Sequence, residues 1–325
     1  MKTGLCIIFN HPFPEQLPLL RVLYGTRFDR LLFLVPFESM TANDVQTVYR
    51  GGYSFDGMIV EARERIKKTM DDCDYIAFVH DDLLLSPKFN QANLHKHLAL
   101  GTRDCFVPFA RKIAAPIDNW VWFYALPYKV LYPMDQLLGT GAEKARKYLP
   151  HADIIAAACR RHQFVPSNSV LTPMTGGGRA AGAYFSRYID DQLFGRTNSA
   201  KSIDLEYPFF EGYSDFAVVG RGILDEWIHV LGILSAMQVF PEIAIPTASV
   251  WLADKLSTLP TLGATSSILW GQDRAKSESL DWVIDRFDQD DYFVHPVKLK
   301  NYGLDKLLSV FSRFANQSEQ AQVES

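Results

Sequence analysis

The chain has 325 residues, 48% hydrophobic and 22% charged, the composition of a globular protein able to bury a substantial core. Its formal net charge of -4 argues against non-specific nucleic-acid binding, because no positive excess exists to neutralise a phosphate backbone. No segment reaches the roughly 20 apolar residues needed to span a bilayer, and the opening Met-Lys-Thr-Gly-Leu-Cys-Ile-Ile-Phe-Asn is too short for a signal peptide, so a cytoplasmic location is expected.

Residues 5–9 form a continuous apolar run that opens at Asn10, His11 and Pro12, the pattern of a buried strand entering a loop. Residues 15–24, with Leu17, Leu20, Val22 and Leu23, predict a helix stopping near Gly25, and residues 31–35 a second buried strand ended by Pro36. Strand, helix, strand at this spacing suggests a parallel unit of an α/β sheet. Over 55–70, Met58, Ile59, Ala62 and Ile66 recur at helical spacing, with Glu61, Arg63, Glu64, Arg65 and Lys67 on the other faces. Asp71, Asp72 and Asp74 then lead into residues 75–82, Tyr-Ile-Ala-Phe-Val-His-Asp-Asp. The first eighty or so residues thus read as β-α-β-α-β, and in open sheets of this kind ligands gather at the carboxyl ends of the strands. Asn10, Glu38 and Asp82 fall at or just beyond such ends.

Beyond Pro87 the spacing predicts a short helix over 94–100, a short strand over 105–109, an aromatic segment over 119–124, and helices over 142–148, 152–161 and 183–193. Gly176, Gly177 and Gly178, before Arg179, would let backbone N–H groups approach a phosphate, but they lack phosphate-loop spacing and read as a turn. Glu211 and Asp215 flank a short apolar strand, 223–240 is helical, and Glu242 opens a helical or extended stretch. His295 and Lys298 follow an acidic segment over 285–291, and the tail over 315–325 has no apolar face and reads as frayed. Cys6, Cys73, Cys105 and Cys159 form neither a Cys-x-x-Cys pair nor a disulfide framework, which leaves buried free thiols. One continuous domain over 1–314 fits, with halves at 1–110 and 111–314.

The end of the 75–82 segment is the most informative feature. Two carboxylates at the tip of a buried strand cost desolvation free energy unless they face a cleft, water or a cation. Hard divalent cations favour carboxylate oxygens and commonly accompany nucleotide phosphates. The plainer alternative is that Asp81 and Asp82 end the strand and begin a solvated turn towards Pro87.

Together these pieces resemble the GT-A class of nucleotide-sugar glycosyltransferases, most closely over residues 3–87 and in two shorter segments, 211–247 and 292–298. The resemblance implies an α/β fold with a mixed central sheet flanked by helices. It implies Mn²⁺ or Mg²⁺ as cofactor, a nucleoside diphosphate sugar as donor, and a glycan or lipid-linked acceptor, with peripheral membrane association through the latter. The family's Asp-x-Asp motif ends at a metal-binding Asp that Asp82 matches; its first position is His80 here, with Asp81 between, which is a departure. His295 resembles the late metal-binding His of the family, and Lys298 would face the diphosphate. Base and ribose contacts are implied for Asn10, His11 and Pro12 and for Phe37 and Glu38, with Asp56 and Arg63 added; Arg63 could instead pair with Glu61 or Glu64 on a wet helix face. Asp215, then Glu242, then Glu211 are the candidates for a general base or sugar contact, each also able to serve as a cap or solvated charge. Trp120, Trp122 and Tyr124 would stack on an acceptor sugar or pack in the core. Two rivals use the same carboxylates: a nucleotidyltransferase or phosphohydrolase, and a non-catalytic nucleotide-sugar-binding module.

Overall fold

Apolar runs with no polar face must be covered on both sides. The two near the N-terminus become β1 (Thr3–Ile8) and β2 (Leu31–Pro36), which pair in parallel in the computed structural model of the chain. The structure describes residues 1–52, 54–113, 142–171, 203–204, 207–237, 239–302 and 306–307. Helix α1 (Leu17–Gly25) joins β1 to β2, and β3 (Val45–Val48) adds in parallel to the far side of β2. Helices α2 (Phe55–Glu61) and α3 (Arg63–Thr69) lead into β4 (Tyr75–His80), parallel to β1. There follow β5 (Leu84–Leu85), α4 (Leu94–His97), β6 (Cys105–Phe106), β7 (Ala110–Lys112), α5 (Ala142–Arg146), α6 (Ala152–Arg161), β8 (Val170–Leu171) and β9 (Ile203–Asp204). The last third supplies β10 (Phe210–Gly212), β11 (Phe216–Gly220), α7 (Leu224–Ala236), α8 (Pro241–Leu252), β12 (Leu256–Ser257), α9 (Leu259–Leu262), β13 (Ser267–Ile268), α10 (Leu280–Asp288) and β14 (Phe293–His295).

The central sheet has seven strands in the order β12-β6-β11-β4-β1-β2-β3. Strand β11 runs antiparallel to both β4 and β6, and the other pairs are parallel, so the sheet is mixed, with a single reversed strand. Strands from the beginning and the end of the described chain share it. Because side chains alternate along a strand, Cys6, Ile8, Ile76 and Phe78 join one core cluster and Leu5, Ile7, Tyr75, Ala77 and Val79 the other. Helices α2, α3, α7 and α8 cover the first face, where Trp227 stacks on Phe78 at 5.4 Å between ring centroids. Helices α1, α4 and α10 cover the second. A smaller sheet, β13-β14-β5, forms beside the end of β4.

Several elements differ from the sequence expectation. The helix expected over 55–70 is broken at Ala62 (φ -85°, ψ 4°), whose backbone leaves the helical region while Met58, Ile59 and Ile66 stay buried. The helix expected to reach 240 ends at Ala236; Phe240 is extended, as the residue before a proline disfavours helical backbone, and Pro241 starts α8 as a first-turn proline. The strand expected over 75–82 stops at His80. Strand β3, helices α9 and α10 and the short strands β5, β7, β8, β9, β12 and β13 have no counterpart in the sequence expectation. The aromatic segment with Trp120, Trp122 and Tyr124, the turn at Gly176 to Arg179, the helix over 183–193 and the tail over 315–325 lie outside the described residues. All four cysteines are buried and free. Among the described residues no helix is long and apolar enough to cross a membrane.

Candidate functional site

Alternation along β4 puts His80 on the same face as Ile76 and Phe78, under the start of α2, where Phe55 meets the imidazole edge-on at 3.7 Å between ring centroids. The register of β4 with β1 sets Ile8 beside His80, so Asn10, two residues on, projects over the same strand end. Its Nδ2 lies 3.4 Å from His80 Nδ1. On the other side the antiparallel register pairs Val79 with Phe216, so Asp215 arrives opposite His80. The backbone N–H of His80 donates to the Asp215 carbonyl at 3.0 Å, and His80 Nδ1 is 3.2 Å from Asp215 Oδ1. Burial holds the His80 imidazole below its ordinary range despite the charges of Asp215 and Asp82, which suits a neutral ring whose Nδ1–H donates to Asp215.

Past the strand, Asp81 and Asp82 take different environments. The Asp81 side chain is buried, and that burial, reinforced by the neighbouring Asp82 charge, pushes its carboxyl up to about 7. Asp82 is met by the small sheet. Pairing of β14 with β5 sets Val294 opposite Leu84, and Val297 N–H donates to the Asp82 carbonyl at 2.7 Å, so His295 and Lys298 return to a residue more than two hundred positions earlier. His295 Nε2 stands 3.0 Å from Asp82 Oδ1, and Lys298 Nζ donates to Asp82 Oδ2 at 2.7 Å. Burial alone would raise the Asp82 carboxyl, but the His295 hydrogen bond and the charges of His295, His80 and Lys298 hold it well below the usual carboxylate range. Burial also opposes charge on His295, yet Asp215 and Asp82 lift it above its ordinary value.

The carboxylates of the second half gather on one adjoining wall. Glu211 on β10 is buried and paired with the exposed guanidinium of Arg111 on the antiparallel partner β7. Glu242 occupies the first turn of α8, which packs on β10. Its burial, with the Asp215 and Glu211 charges, pushes its carboxyl up to about 9. Among the described residues Glu211 Oε2, Glu242 Oε2 and the Ser214 hydroxyl are buried with no hydrogen-bond partner within the protein, polar groups that call for a polar partner from outside it. Tyr213 packs edge-on against His295 at 5.6 Å and links this wall to the Asp82 end. Neither Arg111 nor Tyr213 carried a sequence signal as a site residue; their places follow from strand pairing.

The remaining candidates scatter. Asp56 is buried in the first turn of α2, next to the Phe55 that covers His80. His11, Pro12 and Glu38 are exposed at the carboxyl ends of β1 and β2, and the Gly52 N–H ties the loop after β3 to the Asn10 carbonyl at 2.9 Å. Phe37, between Pro36 and Glu38, is 59% exposed with φ 62°, a left-handed backbone that is uncommon outside glycine. The structure does not bring Arg63 to this group: it pairs with Glu64 at 3.3 Å and lines a separate hollow with Lys67, Asp225 and His229.

His80, Asp215 and His295 each place a ligand atom within 4.8 Å of the others, and so do His80, Asp81 and Asp82. One trio offers two imidazoles and a carboxylate, the other an imidazole and two carboxylates; each set fits the needs of a divalent cation, the mixed nitrogen and oxygen donors suiting Mn²⁺ better than Mg²⁺. No family model matches the chain, and no curated protein matches its sequence.

Proposed function

We propose that the protein is a metal-dependent glycosyltransferase of the GT-A type, moving a sugar from a nucleoside diphosphate sugar to a glycan or lipid-linked acceptor. The observation that carries this reading is the convergence of His295 and Lys298 on Asp82 at the carboxyl end of the central parallel strand, where open α/β sheets bind ligands. The mixed sheet with helices on both faces agrees with the fold the resemblance implies.

Asp82 and His295 would hold the ion, with His80 and Asp215 beside them, and a divalent ion there supplies positive charge to a departing nucleoside diphosphate. Lys298 would meet the same phosphates. The exposed loops at Asn10 to Pro12 and at Phe37 and Glu38 would take the nucleoside. The Glu211, Ser214 and Glu242 wall offers buried, unpartnered polar atoms to sugar hydroxyls, which would satisfy them. Glu242, with its carboxyl pushed up to about 9, keeps its proton near neutral pH and donates a hydrogen bond there, which leaves Asp215 as the first candidate to take the proton of the acceptor hydroxyl.

A thermal-shift screen of nucleoside diphosphates and nucleotide sugars with and without Mn²⁺ tests the reading, because a ligand specific for the native state stabilises it by mass action. We expect stabilisation that requires Mn²⁺, sugar transfer to an acceptor, and loss of both in Asp82→Asn. Phosphate or pyrophosphate release without sugar transfer would identify a phosphohydrolase or nucleotidyltransferase instead. Binding with no turnover would mark a binding module, and a thermal response unchanged in Asp82→Asn would discard the site.

A further inference from the structure

Both oxygens of the Asp82 carboxylate are engaged by side chains of the protein itself, Oδ1 by His295 at 3.0 Å and Oδ2 by Lys298 at 2.7 Å. The Asp82 side chain is 13% exposed, whereas that of Lys298 is 56% exposed. The backbone beside the lysine is fastened, since Val297 N–H donates to the Asp82 carbonyl, but its four-carbon stem can swing outward without disturbing β14. The other candidate metal-holding side chains already surround this carboxylate, with the His80 ring, at its Nδ1, 3.9 Å from Asp82 Oδ1 and 3.2 Å from Asp215 Oδ1. A divalent ion drawn to that group and an ammonium on the same carboxylate would repel each other at close range, although the lysine's open side lets solvent screen part of the repulsion. The two cations are alternatives.

Resting on the function proposed above, we propose that Lys298 is a resident cation that occupies the ion's place on Asp82 while the site is ligand-free, and that it is exchanged for the ion when a nucleoside diphosphate arrives. An ion binding alone must strip the ammonium from its carboxylate and leave it with water as its only partner. When a diphosphate binds with the ion, the displaced ammonium regains an anionic partner in the phosphate oxygens. Ion and nucleotide therefore bind cooperatively, each raising the other's affinity by the same factor, and Lys298 is the positioning residue that couples them.

The test is a Mn²⁺ titration of the full chain, read by the electron paramagnetic resonance of the free ion, with and without UDP or GDP, whichever stabilises the protein in the thermal-shift screen. The wild-type chain is expected to bind Mn²⁺ at least about tenfold more tightly with the nucleotide than without it. Lys298→Met should bind Mn²⁺ alone about tenfold more tightly than wild type, and the nucleotide should then add less than about threefold. Lys298→Gln, which keeps a donor for Asp82 but no charge, should behave like Lys298→Met; if it instead matches wild type, charge exchange is wrong. Equal Mn²⁺ affinity in wild type and Lys298→Met, with ion bound by both, overturns the exchange and leaves the ion site standing. Absence of Mn²⁺ binding in every chain, or undiminished binding in Asp82→Asn, overturns the functional reading itself.

Discussion

Burying Glu242 at the start of α8, near Asp215 and Glu211, lifts its carboxyl from an ordinary 4.5 to about 9. Between those values the folded chain holds a proton that the unfolded chain has released. The stability tied to this group is therefore fully present below about pH 4.5 and is lost as pH rises towards 9. Glu242→Gln has no proton to lose, so its melting temperature should fall less steeply than that of wild type from pH 5 to pH 9, with a gain of about 2 kcal/mol at the alkaline end. Parallel curves for the two proteins would place the titration elsewhere. At this scale the sequence marked Asp82, His295, Glu211, Asp215 and Glu242 as chemically interesting, because charge beside apolar runs is legible in one dimension. That Asp215 faces His80, that Lys298 sits on Asp82, and that Arg111 neutralises Glu211 depend on registers between residues 100 or more positions apart, and local pattern holds no information about those.

Strand β10 and helix α8 carry Glu211 and Glu242 and are held against each other at a glycine. A Cβ on Gly212 would lie 2.2 Å from the Phe109 carbonyl oxygen and 2.8 Å from Pro246 Cγ, and neither backbone nor proline ring can yield cheaply. Gly212→Ala is thus expected to cost about 1–3 kcal/mol and to separate Glu211 on β10 from Glu242 on α8, read as a lowered denaturation midpoint together with weaker binding of the nucleotide sugar proposed as donor. An unchanged midpoint would mean that the two elements are not held at this contact. Elements whose patterning is decided locally were legible: β1, β2 and β4 as unbroken apolar runs, and α6 with both its ends. Strand β3, Val-Gln-Thr-Val at the edge of the sheet, is too short to stand out from a loop. Helix α10 was hidden because its Asp residues read as an acidic loop, although Leu280, Val283 and Phe287 keep a buried stripe. The break at Ala62 has no proline or glycine to announce it.

The reversed strand β11 is the keystone of the molecule: it lies between β4 and β6, it brings Asp215 to the site, and it is drawn from residue 216 onward. Every residue of β4 is buried in the finished fold, and half of its ladder belongs to β11. Until β11 docks, a nascent chain carries an apolar strand with one flank of backbone donors and acceptors open, the template on which chains stick to one another. A fragment over 1–113 should accordingly self-associate in sedimentation velocity at micromolar concentration, whereas the intact chain should not; a monomeric fragment with native-like circular dichroism would contradict this. Because that closure waits for contacts distant in sequence, it delays folding. The strand that completes the candidate site is also the one that ends the chain's exposure to aggregation, so a cell making this protein would need chaperone cover mainly during the interval between the emergence of β4 and the emergence of β11.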